Sequence, residues 1–215
     1  MTILITAGPT REAIDPVRYL TNRSSGKMGY ALADAAAQKG HRVILVSGPT
    51  EIDVPDGIDF IPTESAADMY QAVEYWIGKA DIAIFAAAVA DYRPAQIAEQ
   101  KIKKSGDTLT LELVRNPDIL GSARSTFGFN GVLVGFAAET EDVEENALGK
   151  LERKGCDLVV ANDVSRKDIG FDSNENEILL VYPDRIVPLE KASKHHLGHQ
   201  LIEVVEGMIT PSNHQ

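Results

Sequence analysis

A long stretch of small, hydroxyl and basic residues follows the first apolar run of this 215-residue chain. The apolar run covers residues 3–5, and a helical pattern begins only near Gly26. Connections between a strand and a helix usually take about 2–6 residues, and longer ordered loops are often functional. Gly26 and Gly29 let the backbone approach a ligand closely, and the helix that they open presents free N–H groups to an anion. We therefore expect residues 6–29 to hold a phosphate or carboxylate ligand, with a purely structural loop as the alternative.

Two common phosphate-binding motifs do not fit this stretch. A Walker A loop is excluded because Thr21 replaces its first glycine and Met28 follows Lys27 where serine or threonine is required. The dinucleotide fingerprint fits poorly because the glycines do not follow the strand in a tight turn. The next apolar run also ends in Ser47-Gly48-Pro49, without the acidic residue that would bind a ribose.

A second candidate site lies where the apolar run 82–89 gives way to Asp91. Ligands of open parallel sheets bind beyond the carboxyl ends of the strands. The alanines at this point leave space for a flat base or a ribose to approach the backbone, and Asp91 is a candidate contact for a ribose, a metal or a base. The alternative is a buried strand followed by a solvated turn.

Three further polar residues are candidates for phosphate contacts. Asn116 precedes Pro117 at a predicted helix start, so it is either an N-cap or part of a site whose N–H groups receive phosphate. Lys150 and Lys154 are four residues apart and share one face of a predicted helix, where the alternative is a solvated surface.

Other residues suggest less chemistry. His195 and His199 share helical spacing but lack the glutamate of a metalloprotease motif, so we expect no metal site there. The single cysteine, Cys156, precedes an apolar run and is predicted to be a buried, inert thiol, which fits a reducing cytoplasm.

The overall charge and hydropathy exclude two broad classes of protein. A net charge of −11 argues against a nucleic-acid-binding protein, whereas residues 93–115 carry five basic and three acidic side chains, which suits a small anionic ligand. No apolar run approaches the length of about 18 residues that a membrane span needs, and no signal peptide is evident, so a cytoplasmic protein is expected.

The pattern of elements predicts an α/β fold, a Rossmann-like doubly wound sheet that is mostly parallel, with helices on both faces. Predicted strands cover residues 3–5, 43–46, 82–89, 132–136 and 158–160, with a shorter one at 58–61. Predicted helices cover residues 26–39, 65–79, 142–154 and 191–208.

One segment departs from this pattern. Residues 101–104 and 108–114 flank Ser105-Gly106-Asp107 and are predicted to form a protruding β-hairpin, whose second arm has one apolar face. We interpret 101–115 as a flap or dimerisation arm of a single domain that covers residues 1–215. Residues 210–215 are predicted to be a disordered tail.

The motifs together resemble those of one enzyme family. In chain order they are AGPTREAIDPVRYLTNRSSGKMG, AAAVADYRP, KIKK, NPDIL, VGFAAET and AND. In this order and spacing they are similar to phosphopantothenoylcysteine synthetase, also called phosphopantothenate–cysteine ligase, an enzyme of coenzyme A biosynthesis. The resemblance extends from about residue 3 to residue 208. In many bacteria this domain is fused to a flavin-dependent decarboxylase, so the chain resembles a stand-alone synthetase or an excised domain, with the decarboxylase as a fused or separate partner.

The resemblance implies a two-step ligation. The carboxylate of 4′-phosphopantothenate attacks the α-phosphate of a nucleoside triphosphate, usually CTP, and pyrophosphate leaves. The amine of L-cysteine then attacks the acyl nucleotide and releases the nucleoside monophosphate. Mg²⁺ is expected to travel with the triphosphate rather than in a protein cage. No flavin is expected in this chain, and a homodimer is implied.

The resemblance also implies roles for individual residues. Asn22 is expected to bind the acyl group, Arg18 to contact phosphopantothenate, and Lys101, on a mobile flap, to neutralise the triphosphate. Gly8 and Ala88 are expected to join Asn22 in substrate binding. The expected nucleotide-binding residues, besides Lys101, are Phe85, Ala86, Ala87, Asp91, Pro117, Asp118, Ile119, Leu120, Phe136, Lys150 and Lys154.

Two other functions remain open at the level of sequence. The strand pattern alone would suit a nucleotide- or NADP-binding module without ligase activity, although the missing ribose-binding acid and the long first loop count against it. A flavin-binding partner subunit is the other, and a yellow purified protein would reveal it. The preference between CTP and ATP is also open.

Overall fold

The computed structural model describes residues 1–104, 106–165 and 173–209. The strands, in chain order, are β1 (Thr2–Ala7), β2 (Arg11–Ala13), β3 (Tyr19–Thr21), β4 (Arg42–Ser47), β5 (Asp59–Pro62), β6 (Ile82–Phe85), β7 (Tyr92–Pro94), β8 (Leu113–Arg115), β9 (Val132–Glu139), β10 (Leu158–Asp163), β11 (Glu175–Val181) and β12 (Ile186–Ser193). The helices are α1 (Lys27–Gln38), α2 (Ala66–Ile77), α3 (Ile119–Ser125), α4 (Val143–Lys154) and α5 (Lys194–Met208).

Eight strands form one sheet in the order β12-β11-β10-β9-β6-β1-β4-β5. The six strands from β10 to β5 run parallel to one another, whereas β11 is antiparallel to β10 and β12 is antiparallel to β11. The strand order reverses between β1 and β6, where the chain turns from building one half of the sheet to building the other. The predicted fold class, a doubly wound and mostly parallel sheet, is confirmed.

Each face of the sheet carries its own hydrophobic core because successive side chains of a strand point to opposite faces. Ile3 and Ile5 of β1 pack with α1 and α5, whereas Leu4 packs on the opposite face. The core around Leu4 includes α2, α3 and α4. All three side chains are fully buried, which is why the strand sequence is continuously apolar rather than alternating.

Helix boundaries agree with their sequence signals. The predicted capping box opens α2, with Ser65 accepting a hydrogen bond from the backbone of Asp68 and the Asp68 carboxylate accepting one from the backbone of Ser65. Gly155 ends α4 with φ at 63°. The last helix begins at Lys194 rather than at residue 191, because residues 186–193 form the edge strand β12, which was not predicted.

The predicted hairpin is corrected in its first arm. Residues 101–104 are not in a strand, and β8 pairs instead with β7, with Tyr92 opposite Arg115. Three of these four residues are lysines and offer no apolar face for pairing, whereas Tyr92–Pro94 lies a short loop after the end of β6. Ser105 of the predicted turn and the predicted tail 210–215 lie outside the described residues. In the part of the chain that the structure covers, no helix is long and apolar enough to cross a membrane.

Candidate active site

The long loop between β1 and α1 is fixed to the carboxyl edge of the sheet. Its middle forms the antiparallel pair β2–β3. The buried Thr10 accepts a hydrogen bond from the backbone N–H of Ala90 at 3.0 Å through Oγ1, and the buried Glu12 accepts one from Ala66 at 2.9 Å. The loop therefore joins the end of β6 to the start of α2, and it is ordered before any ligand arrives.

The two glycines at the start of α1 have different structural requirements. Gly26 has φ at 78°, a left-handed conformation that side chains disfavour. A side chain on Gly29 would begin 2.5 Å from the Cβ of Ala7, so this glycine lets α1 pack closely on β1. Both glycines line a cavity described below, so the proposed approach of ligand to backbone stays a prediction, with helix packing as an added reason for Gly29.

Asn22 joins the loop to the end of β6. Its side-chain Nδ2 donates hydrogen bonds to the carbonyl oxygens of Ala88 and Val89, each at 3.1 Å. The amide hydrogens that were expected to reach an acyl group are therefore engaged with the backbone. Asn22 still lines the cavity, and its role toward the substrate stays a prediction.

Arg18 connects the loop to the lysine-rich segment that contains Lys101. The guanidinium of Arg18 binds the carboxylate of the buried Asp15 and donates from Nη2 to the carbonyl oxygen of Ile102 at 2.9 Å. The backbone N–H of Ile102 in turn donates to Asp15 at 3.1 Å. The Arg18 hydrogen bonds hold the pKa of Asp15 well below its usual range. These contacts position the segment beside the loop, but Gly8, Arg18 and Lys101, all within the described residues, line neither of the two cavities below.

A first cavity of about 460 Å³ opens at the carboxyl ends of β6 and β9. It brings together most of the residues predicted to bind the nucleotide. These are Phe85, Ala87, Asp91, Pro117, Asp118, Ile119, Leu120, Phe136, Lys150 and Lys154. Ala86 points to the other cavity instead, because successive residues at the end of a strand face opposite sides of the sheet.

Two lysines of α4, Lys150 and Lys154, line the first cavity. Lys150 donates through Nζ to the carbonyl oxygen of Phe136, and burial lowers the pKa of Lys150 from its ordinary value. Lys154 forms an ion pair with Asp118. Burial acts to raise the pKa of Asp118, but the hydrogen bonds from Lys154 and from the backbone of Gly121 outweigh it, so this pKa lies below its ordinary value. The cavity therefore holds two cations ready for phosphate groups.

Two roles were predicted for Asn116. The first, as the N-cap of α3, is wrong. Asp118 is the cap of α3, since it accepts from the backbone N–H of Gly121 at 2.9 Å, and Pro117 precedes the helix. Asn116 instead donates to the carbonyl oxygen of Ala90 at 2.8 Å and accepts from Arg93 at 3.1 Å. It joins the β7–β8 pair to the end of β6 and so shapes the wall of the first cavity.

A second cavity of about 410 Å³ lies on the other side of the same strand ends. The loop from Asn22 to Gly29 forms one wall, together with Ala86 and Ala88. Five residues line both cavities: Ala87, Val89, Asp91, Phe136 and Lys150. The two spaces thus meet at one wall, which carries the partly buried Lys150.

The far end of the second cavity was not predicted. It is formed by Asn162 at the end of β10, Asn176 at the start of β11 and Lys194 at the start of α5, all of them buried. Asn162 belongs to the motif AND, but nothing in the local sequence singles out the other two. They reach the site only because β11 turns back along β10.

Cys156, His195 and His199 lie outside both cavities. Cys156 is buried, and burial raises the pKa of its thiol to about 11. The rings of His195 and His199 lie 4.7 Å apart on α5, away from both cavities. Among the residues that the structure describes, no group of three metal-ligating side chains is present.

Comparison with known proteins connects this architecture to one family. A family model described as the DNA/pantothenate metabolism flavoprotein C-terminal domain matches residues 1–208. The chain is 52% identical over 203 residues to the coenzyme A biosynthesis bifunctional protein CoaBC of Vibrio parahaemolyticus, which covers 94% of this chain and 51% of that protein. Its identity to the Bacillus subtilis protein of the same name is 51% over 186 residues, 85% of this chain and 45% of that protein. The chain thus spans about half the length of the curated relatives it matches.

Solved structures agree with these similarities. The crystal structure of the C-terminal domain of a coenzyme A biosynthesis bifunctional protein CoaBC superposes with a TM-score of 0.83 at 40% identity, covering 97% of this chain and 95% of that one. A mutant of Cab2 in complex with phosphopantothenate-cysteine superposes with a TM-score of 0.75 at 18% identity, covering 96% of this chain and 85% of that one. The second likeness is one of fold.

Proposed function

The chain belongs to the family of DNA/pantothenate metabolism flavoprotein C-terminal domains, and we propose that it is the ligase that joins 4′-phosphopantothenate to L-cysteine at the expense of CTP. The proposal extends to this chain the role that its relatives' names and its sequence motifs suggest. The alternative of a nucleotide- or NADP-binding module has no structural observation in its favour.

The wall shared by the two cavities is the observation that carries the proposal. A ligase of this kind must bring a carboxylate to a phosphate, and both groups are negatively charged. Two adjoining cavities that meet at Lys150 allow the nucleotide to enter from one side and the acid from the other. The barrier is then lowered by positioning and by charge neutralisation.

In the first step, a carboxylate oxygen of phosphopantothenate attacks the α-phosphorus of CTP. A P–O bond forms, the bond to the β-phosphate oxygen breaks, and pyrophosphate leaves with its electron pair. Lys150 and Lys154 stand where they can neutralise the phosphates. Lys101 would approach from the segment held by Asp15 and Arg18, and Arg18 would face phosphopantothenate.

In the second step, the neutral amine of cysteine attacks the acyl carbon. A C–N bond forms, the bond between the acyl carbon and the phosphate oxygen breaks, CMP leaves with that oxygen and the electron pair, and the amine nitrogen loses one proton. Asn22 and Ala88, which are hydrogen-bonded to each other, would hold the acyl group, and Gly8 would support them, since its carbonyl oxygen accepts a hydrogen bond from Ala88 at 2.9 Å.

Mg²⁺ fits this site as a companion of the nucleotide. The described residues offer no group of three metal-ligating side chains, and the carboxylate of Asp118 is engaged by Lys154. Asp91, which lines both cavities, is the one carboxylate of these linings besides Asp118, and it would reach a metal carried by the phosphates. When bound, the ion would offset the charge of the triphosphate.

The partners of the enzyme follow from the same proposal. A homodimer would give the exposed Leu109 and Leu113, in the arm 101–115, an apolar partner surface. A phosphopantothenoylcysteine decarboxylase, fused or separate, would take up the product, because curated relatives are described as bifunctional. The cytoplasm is the expected compartment for these steps.

Pyrophosphate release tests the proposal. The protein is incubated with 4′-phosphopantothenate and, in turn, CTP, ATP, GTP and UTP, and then with cysteine. We expect pyrophosphate with CTP, favoured by about 10²-fold in kcat/KM over ATP, which needs only about 2.7 kcal/mol of differential binding. Absence of pyrophosphate, together with binding of NADP, would favour the alternative function.

A further inference from the structure

The far end of the second cavity contains a buried acceptor without a partner. Asn176 is 4% exposed, and its Oδ1 atom forms no hydrogen bond within the structure. Buried polar groups are nearly always paired, and leaving one unpaired is costly. Asn176 also lines the second cavity, so this unpaired acceptor lies directly beneath the surface of that space.

A buried cation lies at the same end. Lys194 is 6% exposed, lines the second cavity and is the first residue of α5. Its backbone N–H donates to the carbonyl oxygen of Asn174 at 2.9 Å, which fixes the start of α5 to the start of β11. Lys27 closes the rim by donating to the side chain of Asn174 at 2.8 Å. The backbone thus brings both residues to the lining of the same cavity.

An unpaired acceptor and a lysine at the same end of the cavity favour one chemical class among the substrates, an α-amino acid. An α-amino acid carries an ammonium donor and a carboxylate on a single carbon, so it can engage an amide oxygen and a lysine together. The phosphate of phosphopantothenate is an anion with few or no donors at neutral pH, and its hydroxyl and amide donors are uncharged. Hydrogen bonds to charged groups are roughly twice as strong as those between neutral groups.

We propose that Asn176 and Lys194 form the subsite for cysteine, with Asn176 Oδ1 accepting a hydrogen bond from its ammonium and Lys194 Nζ facing its carboxylate. The inference rests on the proposed ligase function and adds a location for the second substrate. It also accounts for the shared cavity, because Asn22 and Ala88 line the same space and would hold the acyl carbon that the amine attacks.

The neutral character of the acceptor suits the reaction. Among the described residues that line the second cavity, Asp91 is the only carboxylate, and it stands at the wall shared with the first cavity. A carboxylate beside the amine would stabilise the ammonium form and delay loss of its proton. The amide oxygen of Asn176 orients the amine without that penalty, and the charge of Lys194 favours the neutral amine, which is the nucleophile.

The first experiment separates the two substrates in two variants. Asn176→Ala and Lys194→Gln are each expected to raise the KM for cysteine about tenfold or more, the effect of losing a hydrogen bond to a charged group. The burst of pyrophosphate without cysteine and the KM for phosphopantothenate should change less than twofold. Asn130→Ala and Lys191→Gln are the matched controls, because both residues are exposed and line neither cavity.

The second experiment varies the amine, so its wild-type arm gives a result even where a variant fails to fold. Cysteamine lacks the carboxylate of cysteine, so the wild-type enzyme should use it with a KM at least tenfold higher. In Lys194→Gln this difference in KM should disappear, because only the KM for cysteine rises. In Asn176→Ala the KM values for cysteine and for cysteamine should rise by the same factor.

Each failure has a separate meaning. If wild-type protein releases no pyrophosphate with phosphopantothenate and CTP, the ligase proposal itself falls. If the pyrophosphate burst is normal but both variants keep the wild-type KM for cysteine, only the cysteine subsite is overturned. A raised KM for phosphopantothenate with an unchanged KM for cysteine would assign this end of the cavity to the other substrate and would also overturn the inference. Equal use of cysteamine and cysteine by the wild type would do the same.

Discussion

The two cavities differ in how far their polar groups are paired within the protein. In the first cavity Lys154 binds Asp118, and Lys150 binds the carbonyl oxygen of Phe136. At the far end of the second cavity, Asn176 keeps an acceptor without a partner. A phosphate entering the first cavity must compete with existing contacts, whereas a donor entering the second meets an open position.

This difference indicates two ways of preparing a site. The first cavity holds Lys154 in place by an ion pair and Lys150 by a hydrogen bond, so both would be oriented before a phosphate group enters. The second leaves an acceptor unsatisfied, which is costly in the free protein and is offset on binding. Variants can therefore test the comparison by removing a cation from one cavity or a linking contact from the other.

The largest effect is expected at the wall common to both cavities. Lys150→Met keeps the length of the side chain but removes its charge. We expect the rate of pyrophosphate release to fall by about 10³-fold, at the upper end of the range for one oriented electrostatic contact. Lys191→Met, a change of the same kind at an exposed lysine, should have no effect. If the rate of pyrophosphate release falls less than tenfold and the melting temperature is unchanged, Lys150 in the shared wall takes no part in the reaction.

The next effect concerns the contact that links the loop to β6. In Asn22→Asp a carboxylate oxygen replaces the NH₂ group that donates to Ala88 and Val89 at 3.1 Å. Repulsion between that oxygen and the two carbonyl oxygens should displace the loop. We expect turnover to fall by about 10²-fold, with cysteine attack affected more than activation, so that acyl nucleotide accumulates in quenched reactions analysed by mass spectrometry.

A matched control makes the Asn22 result specific. Asn130→Asp introduces the same change at an exposed position near the opposite, amino end of the sheet, where turnover should be normal. Near-normal turnover of Asn22→Asp would leave Asn22 as a loop-structuring residue. It would also weaken the assignment of residues 22–29 to substrate binding.

A smaller effect is expected for Lys101, which lines neither cavity. Lys101 is exposed, but its neighbour Ile102 is tied to Asp15 and Arg18. If Lys101 swings in to neutralise the triphosphate, Lys101→Gln should slow pyrophosphate release by about tenfold, near the effect of one charged hydrogen bond. Lys104→Gln is the control from the same segment. Equal rates of pyrophosphate release for the wild type, Lys101→Gln and Lys104→Gln would mean that Lys101 is an ordinary solvent-exposed lysine without a role in the reaction.

How much the sequence could predict also differs between the two cavities. The rule that ligands bind beyond the carboxyl ends of parallel strands pointed to Asp91 after β6, whereas Phe136 was expected to bind the nucleotide only through the resemblance in motifs. Asn176 and Lys194 come from β11 and the start of α5, in a region where β11 and β12 were not predicted. Their proximity depends on the antiparallel return of β11 along β10, and that is long-range pairing that no local pattern encodes.

The same contrast appears in the fold. Buried parallel strands were predictable because both of their faces are apolar, as β1 and β4 show. Short strands such as β2, β3 and β7 were missed because their pairing depends on the loop contacts around Asn116 and Thr10. Prediction from sequence thus succeeded where burial dictates the residue type, and failed where polar contacts between distant segments fix the backbone.

The smallest effect tests the internal pairing of the first cavity. Asp118→Asn keeps an acceptor for the N-terminus of α3 but loses the charge that faces Lys154. Because the pKa of Asp118 is lowered in the folded protein, its charge adds stability above the pKa of an unfolded aspartate, about 3.9, and that stability is lost as the pH falls through the folded value. The side chain is 54% exposed, so the variant should lose at most about 1 kcal/mol of unfolding free energy at pH 7. Urea denaturation should show this difference shrinking toward zero near pH 3, and a difference that grows in acid would contradict the pairing of Asp118 with Lys154.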